Sequence, residues 1–146
     1  MNGNVEKCVM IIDPELPTGV IANTTAILGM TLGKRFPEQV GNDVTDASEK
    51  THLGIITVPV PILKGSREML KELRENLYKT EFNDLTVVDF SDVAQGCITY
   101  DEYISKAAEV PEEDHKYLGV AIYGDRKKVN KLTGSINCDS QMPLLR

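Results

Sequence analysis

The 146-residue sequence has no tryptophan, three phenylalanines and two histidines, and no apolar run approaches the ~20 residues of a membrane span. The start, Met1-Asn2-Gly3-Asn4, is neither cationic nor apolar, so no signal peptide is expected. Cysteine is sparse and odd in number: Cys8, Cys97 and Cys138 fit neither a disulfide framework nor zinc-ligand spacing. Reduced thiols and a cytoplasmic location are the expectation. No glycine-rich phosphate loop occurs, and no serine stands at a nucleophile-elbow spacing. Positive charge is also in deficit. The formal net charge of −6 argues against a broad nucleic-acid surface. No motif asks for a cofactor or a metal.

What is present is globular: 41% hydrophobic and 26% charged residues, enough for one core. With no repeat, linker or low-complexity tract, a single domain over 1–146 is expected. Lys7 to Asp13 is an apolar run ending in a carboxylate, the pattern of a strand buried on both faces. The Pro14–Gly19 turn follows, with Thr18 as the cap of a helix from about Gly19 to Leu32. Ala22, Ala26, Gly29 and Gly33 form a stripe of small residues on that helix, suited to tight packing on the sheet or to a subunit contact. Gly33 to Thr51 has no periodicity and is long for a loop, which suggests either a functional lid or structure that the sequence does not reveal.

Leu53 to Val58 is expected to be a second strand, followed by Pro59-Val60-Pro61, whose missing donors mark either an unpaired edge or the end of the strand at Val58. Ser66 to Tyr78 carries Leu70, Leu73 and Leu77 on one helical face. Leu85 to Phe90 is a third strand with Asp89 near its end. Thr99-Tyr100-Asp101-Glu102 has the form of a capping box. Tyr117 to Tyr123, apolar throughout, is a central strand. Asp125 caps a helix from Arg126 to Leu132, with Gly134 as a left-handed terminator. Strand and helix alternate, which gives an α/β fold: a three-layer α/β/α sandwich around a four-stranded mixed sheet.

In an open α/β sheet, ligands gather at the carboxyl ends of strands and at helix N-termini. That geometry nominates Asp13, Thr18, Asn23, Thr24 and Asp89 as a ligand-binding set. Asn23, Thr24 and Thr25 are poor helix formers within a helix, compensated either by solvent or hydrogen bonds to the loop, or by contact with a ligand. The ligand they suit both donates and accepts hydrogen bonds: an amide, an amine or a sugar. The alternative is that both aspartates merely finish strands and Asn23 faces solvent. His52 and His115 have no ligand-like neighbours, and Cys97 has no base placed to activate it. Arg126, Lys127, Lys128 and Lys131 form a basic cluster, suited either to phosphate or to a solvated face.

Several segments resemble the domain of unknown function 2000 family. These are Lys7 to Asp13, Leu16-Pro17-Thr18-Gly19, Pro59 to Lys64, Val88-Asp89-Phe90, Tyr100 to Tyr103, Tyr117 to Gly124, Lys128 to Gly134 and the closing Pro143-Leu144-Leu145-Arg146. The resemblance implies a fold like that of type II peptidyl-tRNA hydrolases and no established activity. Those enzymes place Lys-Gly-Lys at the start of the first helix, where this sequence has Thr18-Gly19-Val20. Their Gln and His fall on Thr24 and Ile27, and their later Thr on Val93. Asp89 matches their aspartate, and Thr133-Gly134 resembles their ending. Loss of the lysines removes the electrostatic stabiliser of ester cleavage. A small-ligand-binding or regulatory domain is therefore expected over a hydrolase, with a homodimer as the expected assembly.

Overall fold

The computed structural model describes residues 6–134 and 136. Cys138 and the closing Pro143 to Arg146 lie outside the described residues. The first strand, β1 (Glu6–Ile12), is followed by the long helix α1 (Thr18–Arg35). The chain then makes an excursion that holds two short strands, β2 (Val44–Thr45) and β3 (Thr51–His52), paired as a hairpin. It returns as β4 (Ile62–Lys64), α2 (Arg67–Leu77), β5 (Thr86–Ser91), the short helices α3 (Asp92–Gln95) and α4 (Tyr100–Glu109), β6 (Tyr117–Asp125) and α5 (Arg126–Thr133). The main sheet has the order β4-β1-β6-β5. β1 runs parallel to β4 and antiparallel to β6, which is itself antiparallel to β5. The sheet is mixed and four-stranded, as the alternation of elements implies.

Alternate side chains of the sheet go to two cores. Val9, Ile11, Val120 and Ile122 pack with Leu70, Leu73 and Leu77 of α2 and Val129 of α5. Cys8, Met10, Ile12 and Ala121 pack with Ile21, Leu28 and Leu32 of α1. Helices thus cover both faces, and β1 and β6 are buried between them. Gly119 in β6 shows how close α1 comes: a Cβ there would lie 2.6 Å from Ile12 Cδ1 and 2.8 Å from Thr24 Cγ2. The glycine lets helix and strand meet.

Four local expectations need correction. Leu53 to Val58 is no strand of this sheet; Leu53 and Ile55 are 80% and 79% exposed, and Ile56 makes a single bridge to Val40. The sheet strand comes after the prolines, with the Pro61 carbonyl accepting from Met10 N–H at 3.0 Å. Thr18 does not cap α1. Pro17 holds the cap position, and its carbonyl accepts from Val20 and Ile21 N–H at 2.9 and 3.0 Å. The buried stripe of α1 is Ile21, Thr24, Leu28 and Leu32, while Ala22 and Ala26 are exposed. Gly134 has φ −64°, so it extends the helical turn where a left-handed terminator was expected. The capping box at Thr99 and Glu102 forms as expected, and Asp125 caps α5 by accepting from Lys128 N–H.

Candidate functional site

The five side chains nominated from sequence do not converge. Asp13 follows the last residue of β1 and is 5% exposed; its Oδ1 accepts from Glu15 N–H at 2.9 Å, which finishes the strand with a local turn. Thr18 and Asn23 are exposed on α1. Thr24 is fully buried on the α1 face of the sheet, where its hydroxyl donates to the Val20 carbonyl at 2.7 Å. That bond to the preceding turn is what compensates a poor helix former in the core stripe. Asp89 is on the other face. It pairs in register with Val120, whose side chain belongs to the α2 core, and it meets α2 directly. The sheet therefore separates Thr24 from Asp89.

Asp89 opens onto a concavity. A groove of about 550 Å³ runs along the outer edge of β5, the last strand of the sheet. Thr31 and Arg35 of α1, Arg74 of α2, the Tyr78 that follows that helix, and Asn83 line it. Within this lining, Arg74 Nε–H donates to Asp89 Oδ2 at 2.8 Å, with side chains 12% and 24% exposed. Tyr78 lies over the guanidinium, 4.0 Å from ring centroid to Cζ. This stacking and the ion pair hold Arg74 in one orientation, with its two Nη groups left over. The local sequence explains the placement. Arg74 stands four residues after Leu70 and three before Leu77, so it borders the leucine stripe and is drawn against the sheet.

The charge of Asp89 reaches three tyrosines. Burial raises the pKa of Tyr78, Tyr103 and Tyr117, and in each case the Asp89 charge adds to the rise. Tyr117 Oη also donates to Glu112 Oε2 at 2.7 Å, which holds its proton further. These phenols are neutral donors across the working pH range. An edge strand with an inward charge is also protected against pairing with another chain.

Other chemistry is accounted for locally. Ser91 Oγ lies 3.3 Å from His115 Nδ1, but Ser91 is 2% exposed and caps α3 by accepting from Val93 N–H. The second imidazole nitrogen of His115 faces the Val110 carbonyl at 3.3 Å, so no carboxylate orients the ring as a general base. His52 pairs with Asp46 on the exposed hairpin at 2.7 Å. Cys97 Sγ donates to the Val93 carbonyl at 3.2 Å. In the basic cluster, Lys128 bonds Asp84 at 2.9 Å and Lys131 bonds Glu81 at 2.7 Å, so two of its lysines are matched by acids. Among the described residues, no group of three or more His, Cys, Asp and Glu side chains is placed to hold a metal, and no helix is long and apolar enough to cross a membrane.

The model of the family described as "Protein of unknown function (DUF2000)" matches residues 6–138. The chain belongs to this family. The DUF2000 chain is similar in structure to Atu0240, a protein of unknown function from Agrobacterium tumefaciens strain C58. The TM-score is 0.82 at 18% sequence identity, over 91% of this chain and 96% of that one. At that identity the likeness speaks for the fold. No curated protein matches the sequence. The family relation brings no established activity with it.

Proposed function

We propose that this DUF2000 protein is a small-ligand-binding module whose site is the β5-edge groove, with Asp89 and Arg74 in its lining. The observation that carries this reading is the largely buried Arg74–Asp89 pair in the lining of a concavity of ligand size. A ligand carboxylate or carbonyl would meet the Nη groups of Arg74 and the cation of Arg35. An amine or amide N–H on the same molecule would reach the second oxygen of Asp89. Asn83, Thr31 and Tyr78 add polar atoms that both donate and accept. Amino acids and N-acyl amino acids have this chemistry. Of the residues first nominated, Asp89 is retained as the binding residue. Asp13, Thr18, Asn23 and Thr24 would act only through the fold.

The fold is proposed to be of the type II peptidyl-tRNA hydrolase kind, working as one domain and as a cytoplasmic homodimer. The exposed Val44, Leu53 and Ile55 on the excursion support a partner copy. Ester cleavage is not proposed. Thr18-Gly19-Val20 offers no cation where those hydrolases place lysines, and Val93, at the place of their threonine, is buried.

A thermal-shift screen of amino acids and N-acyl amino acids tests the reading. A hit should raise the melting temperature of the wild type and have no effect on Asp89→Asn. Equal shifts in both proteins would place the ligand elsewhere. In a peptidyl-tRNA assay, turnover should be negligible.

A further inference from the structure

A second cavity, on the opposite face of the sheet from Arg74, has a different chemistry. It is a partly open cleft of about 120 Å³ between β1, α1 and the excursion that follows α1. Cys8 and Met10 form its floor, and Val40, Ile56 and Val60 its outer wall. Its volume is close to that of engineered apolar cavities of about 150 Å³, which bind benzene or xenon.

Two glycines create the space. Gly29 and Gly33 sit one turn apart within α1, both lining the cavity. Glycine inside a helix costs about 0.5–1 kcal/mol relative to alanine. Packing does not require it here. A Cβ on Gly33 would have nothing within 4 Å, and one on Gly29 would meet only Met10 Cε at 3.7 Å, an ordinary contact. Gly119 differs, because there a Cβ would clash. The excursion supplies the cover: it adds no strand to the main sheet, yet the Val40–Ile56 bridge fixes its inner residues over the two glycines.

The polar atoms stand at one wall. Gln39 Nε2 donates to Tyr123 Oη at 2.8 Å, and that hydroxyl donates to Glu6 Oε1 at 2.9 Å. Phe36 stacks on Tyr123 at 4.0 Å between ring centroids. The Gln39 amide carries a second N–H that this chain of bonds leaves over. We propose that the cavity is a binding site for a small, uncharged, largely apolar molecule with one hydrogen-bond acceptor, seated on Gly29 and Gly33 with its polar atom at Gln39. The site is independent of the β5-edge groove, whose charged residues would reject such a molecule.

Phenol is the probe, titrated into the full chain and followed by side-chain methyl NMR. The wild type should show saturable shifts at Met10 and Val60. Gly33→Leu, which fills the space, should weaken phenol binding at least tenfold while keeping a cooperative melt. No saturable shift in the wild type, or equal affinity in the two proteins, would overturn the proposal. Should Gly33→Leu fail to fold, the Gly29→Ala/Gly33→Ala variant takes its place. It should melt higher than the wild type and bind phenol more weakly. A lower melting temperature would mean that packing requires the glycines, and would equally overturn the site.

Discussion

The two faces of one sheet are covered in different ways. On the α2 and α5 face, Leu70, Leu73, Leu77 and Val129 fill the holes between Val9, Ile11, Val120 and Ile122. On the α1 face, Ile21, Leu28 and Leu32 make equivalent contacts along one stripe, but Gly29 and Gly33 beside it leave a cleft over Met10. The first face is built for stability. The second gives up some stability to keep a space open, and a long excursion of chain is spent in covering it.

The largest effect should come from breaking the shared centre. Val120 is fully buried between the strands' neighbours, so Val120→Asp would bury a charge with no partner. No cooperative unfolding transition should be detected by circular dichroism; a wild-type melt would show that β6 is not central. Next, Leu70→Ala on the filled face should cost about 2–5 kcal/mol in urea denaturation. Met10→Ala should fall at the lower end of that range, because its side chain already lines a cleft. A reversed order would mean that the α1 face is the tighter one.

A pH series sharpens the same contrast. Burial pushes the Cys8 thiol from an ordinary 9.0 up to about 11. The protonated thiol is the form favoured by folding, so its contribution is complete below pH 9 and is lost as the pH rises through 11. Two units correspond to roughly 2–3 kcal/mol. The fall in stability between those limits should be shallower in Cys8→Ala; an identical slope would show that the thiol floor is wet. The smallest effect has the opposite sign. Gly33→Ala should stabilise by about 0.5–1 kcal/mol, measured by urea denaturation.

Much of this architecture is legible in the residues. Apolar runs locate β1, β5 and β6, the leucine spacing locates α2, and Thr99 and Glu102 mark the start of α4. The excursion is not legible. The alternating apolar residues Leu53 and Ile55 imitate a half-buried strand while facing solvent, and β4 is three residues long, too short for any periodicity to show. In the candidate site, Asp89 is visible as the carboxylate ending an apolar run. Arg74 is missed because helical charges are read as solvated. Its signal is its place beside the Leu70–Leu77 stripe. Thr24 misleads because its hydroxyl is satisfied by its own helix, a compensation that helix propensity does not reveal.

The central claim, that ligand is held at the Arg74–Asp89 pair on the edge of β5, is tested most directly by mapping a hit from the thermal-shift screen onto backbone amides by NMR. The account predicts saturable shifts at Thr86 to Asp89, Arg74 and Tyr78, all lost in Asp89→Asn. Shifts at Asp13, Thr18 and Asn23, with Asp89→Asn unaffected, would contradict it and return the site to the start of α1.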